Sequence, residues 1–163
     1  MKRIVSIQDI SDIGKCSLTA ALPVISAMGV ECAVLPTAVL SAHSQFEGFT
    51  FRDLTDEMTA TAEHWKRLGL RFDAVYTGYL GSPRQIEIVR DFIARFRTSG
   101  TLVVVDPVLG DNGRLYSKIT EEMVAAMRTL CRSADVLTPN LTELFALLGR
   151  PWRAECAEDE LKR

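Results

Sequence analysis

Short apolar runs alternate with longer stretches of helical periodicity along nearly the whole chain. Residues 4–7 read as a strand and 18–28 as a largely buried helix, while 32–40 reads as extended and broken at Pro36. Over 54–68, Met58, Ala62, Trp65 and Leu68 recur at helical spacing with charges elsewhere, which predicts an amphipathic helix. A strand at 74–77 follows. Ser82-Pro83 then supplies an N-cap and a proline at the first helical position, and Ile86, Val89, Ile93 and Phe96 form the inward stripe of that helix. Residues 102–105 read as a fully buried strand, and 120–130 as a helix with Met123, Met127 and Leu130 inward. A short strand at 136–137 and a helix at 141–148, stopped by Gly149 and Pro151, complete the series. This repeated alternation predicts an α/β fold, doubly wound, with a mostly parallel sheet and helices on both faces. The pattern reads as one domain over 1–163, without repeats or linkers. Residues 156–163 run from acidic to apolar to basic as if opening a further helix, with no stop before Arg163, so the expectation is an incomplete, C-terminally truncated domain. Such a domain should expose a sheet edge and apolar surface and should self-associate.

Composition narrows the classes without naming one. The 163 residues are 47% hydrophobic and 25% charged with a formal net charge of -2, enough for one core and poorly suited to a basic nucleic-acid surface. Pro23, Gly29, Glu31 and Pro36 interrupt the best candidates for a membrane span. The first nine residues hold too few apolar positions for a secretory signal. Cys16, Cys32, Cys131 and Cys156 are scattered with no CxxC pair, so a reduced cytoplasmic setting is expected and a structural zinc site is not.

The chemistry concentrates where apolar runs end abruptly. Thr101-Leu-Val-Val-Val-Asp-Pro-Val-Leu-Gly-Asp-Asn-Gly113 is echoed by Ala134-Asp-Val-Leu-Thr-Pro-Asn-Leu-Thr-Glu-Leu144. Each reads as a buried parallel strand whose C-terminal end opens onto a site. Taken singly, Asp111 fits a turn, and Asn140 with Glu143 fits a helix N-cap and its capping-box partner. Together with Asp106 they form a candidate metal–phosphate rim, because magnesium favours carboxylate and water oxygens. Gly14-Lys15 resembles a P-loop only superficially: Asp9 and Cys16 stand where glycine and Ser or Thr are required. The same loop reads as one that contacts a small polar substrate, or else as a strand-to-helix turn capped by Asp12, with Cys16 a small buried residue. Ser41-Ala-His-Ser44, followed by Phe46, Phe49 and Phe51, suits either a flat heteroaromatic ligand or a plug of the sheet end. Gly78, between Thr77 and Tyr79, allows a sharp turn or a close backbone approach. His64, among Glu63, Lys66 and Arg67, reads as a surface residue.

The opening Ile7-Gln8, Thr77-Gly-Tyr79, Asp106-Pro-Val-Leu-Gly-Asp111 and Thr138-Pro-Asn-x-x-Glu143, in this order along the chain, resemble the pyridoxal kinases. Within the ribokinase-like superfamily the likeness is to the bacterial pyridoxal/pyridoxamine kinases, and it runs from the first strand to about Gly149. The resemblance implies ATP-dependent phosphorylation of the 5′-hydroxyl of a B6 vitamer, for pyridoxal 5′-phosphate salvage. It implies vitamer contacts from Ser44, His43 and Tyr79, and from Asp9, which stands where many members carry serine. Leu40 stands where many carry phenylalanine. It also places Asp106, Asp111, Tyr116, Thr138, Asn140 and Glu143 near the ATP phosphates, with Asp106 and Glu143 on Mg2+ through water and Thr138 beside a monovalent cation. A homodimer is implied for the complete enzyme. The family's Gly-Thr-Gly-Asp-like segment, which carries the catalytic aspartate, has no match here. The resemblance puts that base beyond Arg163, so no residue of this chain is assigned as catalytic and the 163 residues alone are expected to be inactive. The alternatives are a hydroxymethylpyrimidine kinase or another ribokinase-like small-molecule kinase, and a non-catalytic ligand- or partner-binding remnant.

Overall fold

The computed structural model describes residues 1–44 and 46–154. The segment 155–163, with Cys156 and Arg163, lies outside the described residues. The helix start expected over 156–163 falls there, as does the boundary at Arg163 beyond which the family's base is expected. In chain order the elements are β1 (Arg3–Ser11), α1 (Leu18–Ala27), β2 (Glu31–Leu40), β3 (Phe51–Asp53), α2 (Thr55–Arg67), β4 (Ala74–Thr77) and α3 (Pro83–Phe96). They continue with β5 (Leu102–Val105), β6 (Gly110–Asp111), β7 (Arg114–Leu115), α4 (Glu121–Cys131), β8 (Val136–Leu137) and α5 (Leu141–Leu148). Six strands form one sheet in the order β3-β2-β1-β4-β5-β8, and β6 and β7 make a separate hairpin. All neighbours in the six-stranded sheet are parallel except β2 and β3.

This order fixes the architecture. The chain steps from β1 to β2 on one side, then crosses back to β4 on the other and continues outward to β5 and β8. Right-handed crossovers in opposite directions put α1 on one face and α2, α3 and α4 on the other. The main core lies on the second face: Val5, Ile7, Val75, Val103 and Val105 from the strands meet Met58, Ile86, Val89, Phe92, Ile93 and Met127 from the helices. Phe92 stacks on Phe96 at 4.4 Å between ring centroids, and Trp65 and Phe72 close the cluster. Each such side chain contributes about 1.5–3 kcal/mol when fully buried.

Several local expectations need correction. The first strand extends to Ser11, beyond residue 7, because Gln8–Ser11 continue to pair with β2 across a register shift. Pro36 does not break β2: β3 pairs only with 38–40, which leaves the edge beside the proline open and its missing N–H uncontested. The strand at 102–105 is not fully buried, since Leu102 is exposed and Val104 half-buried on the face that α1 does not reach. Ser17, not Asp12, caps α1, and does so without a side-chain bond. Cys16 is half-buried. Leu68 caps the end of α2 and is exposed rather than inward. Both β3 and the β6–β7 hairpin are too short to show a hydrophobic period, and the sequence pattern predicts neither.

Candidate active site

In an open parallel sheet, loops diverge where the strand order reverses and leave a crevice beyond the strands' C-terminal ends. Here the reversal lies between β1 and β4, and a cavity of about 360 Å³ opens near it. Asp9 and Ser11 come from β1, Leu40 from the end of β2, and His43 and Ser44 from the loop that follows. Phe51 of β3, Tyr79 after β4, and Tyr116 and Lys118 after β7 close the walls. All four residues expected to meet the vitamer therefore line one cavity.

The walls are held from behind. Thr37 Oγ1 donates to the Tyr79 carbonyl (3.0 Å), and the fully buried Gln85 accepts from Gly81 N–H (2.7 Å) while donating to Thr37 O (2.9 Å) and Thr55 Oγ1 (3.0 Å). One amide thus ties β2, α2, α3 and the Tyr79 loop together. At Gly78 a Cβ would stand 2.7 Å from Gln8 Oε1, so the close approach expected there is to a neighbouring side chain. The β1–α1 loop holds Lys15 and Ser17 at φ 50 and 49, in the left-handed region that costs non-glycine residues on the order of 1 kcal/mol each. His43 N–H donates to Ile13 O at 2.8 Å and docks this loop against the cavity. Burial first, then the charges of Asp9 and Asp53, pushes the Tyr79 hydroxyl above its ordinary pKa, which keeps it a neutral donor.

The second cluster lies one strand further on. Asp106 leaves the end of β5 with its N–H donating to Thr77 O, and no donor among the described residues reaches its half-buried carboxylate. Burial, with the Glu143 charge second, raises its pKa to about 6. Asn140 and Glu143 form a complete capping box on α5: Asn140 Oδ1 accepts from Glu143 N–H (3.0 Å) and Glu143 Oε2 from Asn140 N–H (2.9 Å). They reach beyond the cap, since Glu143 Oε1 accepts from Leu109 N–H (3.1 Å) and Asn140 Nδ2 donates to Gly110 O (2.8 Å). The capping and rim readings therefore coexist in the same two residues. Burial raises the Glu143 pKa, against the lowering effect of these backbone donors. Asp111 is exposed and accepts from Asn112 N–H at 2.8 Å, a turn role, and Thr138 is exposed just past β8. Tyr116 links the clusters: it lines the cavity, and burial followed by the charges of Asp111, Glu143 and Asp106 raises its pKa. Among the described residues, no group of three or more His, Cys, Asp or Glu side chains is placed to cage a metal.

Sequence reasoning missed Lys118, Thr37 and Gln85. Lys118 sits in an irregular turn with nothing to mark it, and Gln85 looks like any polar residue in the first turn of a helix.

The fold is a doubly wound α/β sheet with a ligand-sized cavity near its switch point and acidic residues at the neighbouring strand end. Comparison with known families makes this specific. The chain belongs to the phosphomethylpyrimidine kinase family, whose model matches residues 15–163. It is similar to the pyridoxine/pyridoxal/pyridoxamine kinase of Bordetella avium, 35% identical over 163 residues that cover 90% of this chain and 51% of the relative. It is also similar to the crystal structure of a putative phosphomethylpyrimidine kinase from Bacteroides thetaiotaomicron with pyridoxal. The TM-score is 0.97 at 56% identity, covering 99% of this chain and 56% of that one. The pyridoxal kinase of Leishmania donovani in complex with ADP and pyridoxamine gives a TM-score of 0.85 at 29% identity, covering 90% of this chain and 54% of that one. The chain spans about half the length of the curated relatives it matches.

Proposed function

We propose that this chain supplies the vitamer-binding side and part of the phosphate rim of a pyridoxal/pyridoxamine kinase, whose catalytic base lies beyond Arg163. The observation that carries this reading is the adjacency of the two clusters: Asp9, His43, Ser44 and Tyr79 share one cavity, and Tyr116, which lines the same cavity, lies within reach of the charges of Asp111, Glu143 and Asp106. In the reaction, the vitamer's 5′-hydroxyl oxygen bonds to the γ-phosphorus of ATP and gives its proton to the catalytic base, the bond from that phosphorus to the β-phosphate bridging oxygen breaks, and ADP leaves. Catalysis of such a transfer is mainly positioning and charge stabilisation. Tyr79 and Phe51 flank a flat ring, and Ser44 and His43 hydrogen-bond its substituents.

The rim is acidic, so it holds a polyphosphate only with a cation between them. Asp106, with no donor of its own, and Glu143, with both oxygens already accepting from backbone N–H groups, suit Mg2+ held through water and phosphate oxygens rather than a protein cage. When bound, the ion neutralises charge developing on the transferring group. Thr138 lies where a monovalent cation would be held, and Asn140 and Asp111 border the phosphates. The whole enzyme works as a cytoplasmic homodimer, a compartment that suits the three described cysteines, all unpaired thiols. No helix of the described residues is long and apolar enough to cross a membrane.

The family's description favours a second reading, a hydroxymethylpyrimidine kinase. Calorimetric titration of the 163-residue chain with pyridoxal, pyridoxine, pyridoxamine and hydroxymethylpyrimidine separates the two. The vitamers are expected to bind more tightly, and Ser44→Ala and Tyr79→Ala to weaken them. Tighter binding of the pyrimidine would replace the first reading by the second.

A further inference from the structure

An acidic and a basic side chain line the cavity, and neither has an ion-pair partner among the described residues. Asp9 is only 4% exposed, yet its carboxylate receives a single described side-chain hydrogen bond, from Ser11 Oγ to Oδ2 at 2.9 Å. None of the described ion pairs includes it. A buried carboxylate with one neutral donor is costly, and a cation arriving with a ligand would offset that cost. Lys118 lines the same cavity with its ammonium 3.7 Å from the Phe51 ring centroid, and no described carboxylate pairs with it. A cation resting on an aromatic face keeps its donors available for an anion. The aromatic walls, Phe51 and Tyr79, suit a flat ring.

A flat ring with opposite charges on its own atoms is the matching ligand, and 3-hydroxypyridines are such rings: near neutral pH the ring nitrogen holds a proton and the hydroxyl is ionised. We propose that Asp9 and Lys118 read the charge of the ligand, Asp9 accepting from the protonated ring nitrogen and Lys118 donating to the ionised ring oxygen, so that the cavity selects zwitterionic 3-hydroxypyridines over neutral heteroaromatic rings. This rests on the vitamer reading above and adds the feature that sets vitamers apart from an uncharged aminopyrimidine. Neither residue moves the phosphoryl group; both determine specificity.

The test is calorimetric titration of the 163-residue chain with pyridoxine and with 3-deoxypyridoxine, which lacks the ionisable hydroxyl. Wild-type chain is expected to bind pyridoxine about tenfold or more tightly than the deoxy analogue, as hydrogen bonds to charged groups imply. Lys118→Met, at an exposed position, should reduce that ratio severalfold without abolishing it, because the ring nitrogen of the deoxy analogue is unprotonated near neutral pH and Asp9 still tells the two ligands apart. Asp9→Asn should weaken pyridoxine by a similar factor, with a melting curve confirming that the variant is folded. The pair is overturned if wild-type chain binds both ligands equally, or if Lys118→Met leaves the ratio within about twofold of wild type, well short of what a charged hydrogen bond contributes. Absence of any vitamer binding by the wild-type chain overturns the vitamer reading itself, and the pair with it.

Discussion

Replacing Gln85 with leucine removes a fully buried amide while keeping roughly its volume. Gly81 N–H and Thr55 Oγ1 lose their described partner, while Thr37 C=O keeps only its bond from Leu54 N–H (3.0 Å). The Thr55 hydroxyl lies at the edge of burial and can turn toward water, so the loss falls mainly on the half-buried Gly81 N–H and the half-satisfied Thr37 carbonyl. A buried polar group left unpaired costs about 1–3 kcal/mol. One such group, with the small gain from burying an apolar side chain set against the half-satisfied Thr37 carbonyl, gives a loss of about 1–3 kcal/mol, a large share of the roughly 5–15 kcal/mol of a typical domain. The effect should also reach the cavity, because Thr37 donates to the Tyr79 carbonyl and the Gly81 anchor follows closely in the same loop. Urea denaturation of Gln85→Leu should show the midpoint falling at unchanged slope, and titration of the folded variant should show weaker pyridoxal binding. A stability loss below about 0.5 kcal/mol, typical of an ordinary surface substitution, would refute the reasoning.

Other outcomes follow from the rim, the sheet and the sequence. Asp106 has its folded-state pKa raised from 3.8 to about 6, so its favourable contribution is complete below pH 3.8 and lost as pH rises through 6. Asp106→Asn should therefore raise thermal stability at neutral pH while weakening Mg-nucleotide binding; a variant less stable at neutral pH than wild type would contradict this. Wild-type affinity for Mg-ADP should increase as pH rises through about 6, read by titration on either side of that value. Leu102, Val136 and Leu137 are exposed on and beside the edge strand β8, so sedimentation should show concentration-dependent self-association that Val136→Lys reduces. A monodisperse, cooperatively melting monomer would count against it. In a coupled ADP-release assay the 163 residues alone should bind vitamer without measurable turnover. On the proposal that the catalytic base is not among these residues, its absence costs about 10²–10⁴ in rate, and missing anion-stabilising amides cost about 10²–10³. Robust turnover would overturn that expectation.

The layers of the fold were legible because apolar period and capping agree locally. The Ser82 Oγ bond to Gln85 N–H, the Thr120 cap of α4, the capping box at Asn140 and the left-handed Gly149 are all written in adjacent residues. The candidate site was legible from the residues at Asp106, a carboxylate where an apolar strand ends, whereas Asp9, inside β1, entered only through the family resemblance. What escaped depends on contacts distant in sequence. Gln85 gains its role from Thr37 and Thr55, and Lys118 from Phe51. The exposure of Leu102 follows from α1 covering only β1 and β2, and a run of consecutive apolar residues carries no mark of which face a helix will cover.

The account stands on the cavity of Asp9, His43, Ser44 and Tyr79 being the vitamer site and on Asp106 lying beside it. A crystal of this chain soaked with pyridoxal and Mg-ADP tests both at once. The account predicts the pyridine ring inside the cavity, between Tyr79 and Phe51, with its 5′-hydroxyl directed past Tyr116 toward phosphates at Asp106. A ring bound elsewhere, or phosphates held away from Asp106 and Glu143, would contradict it.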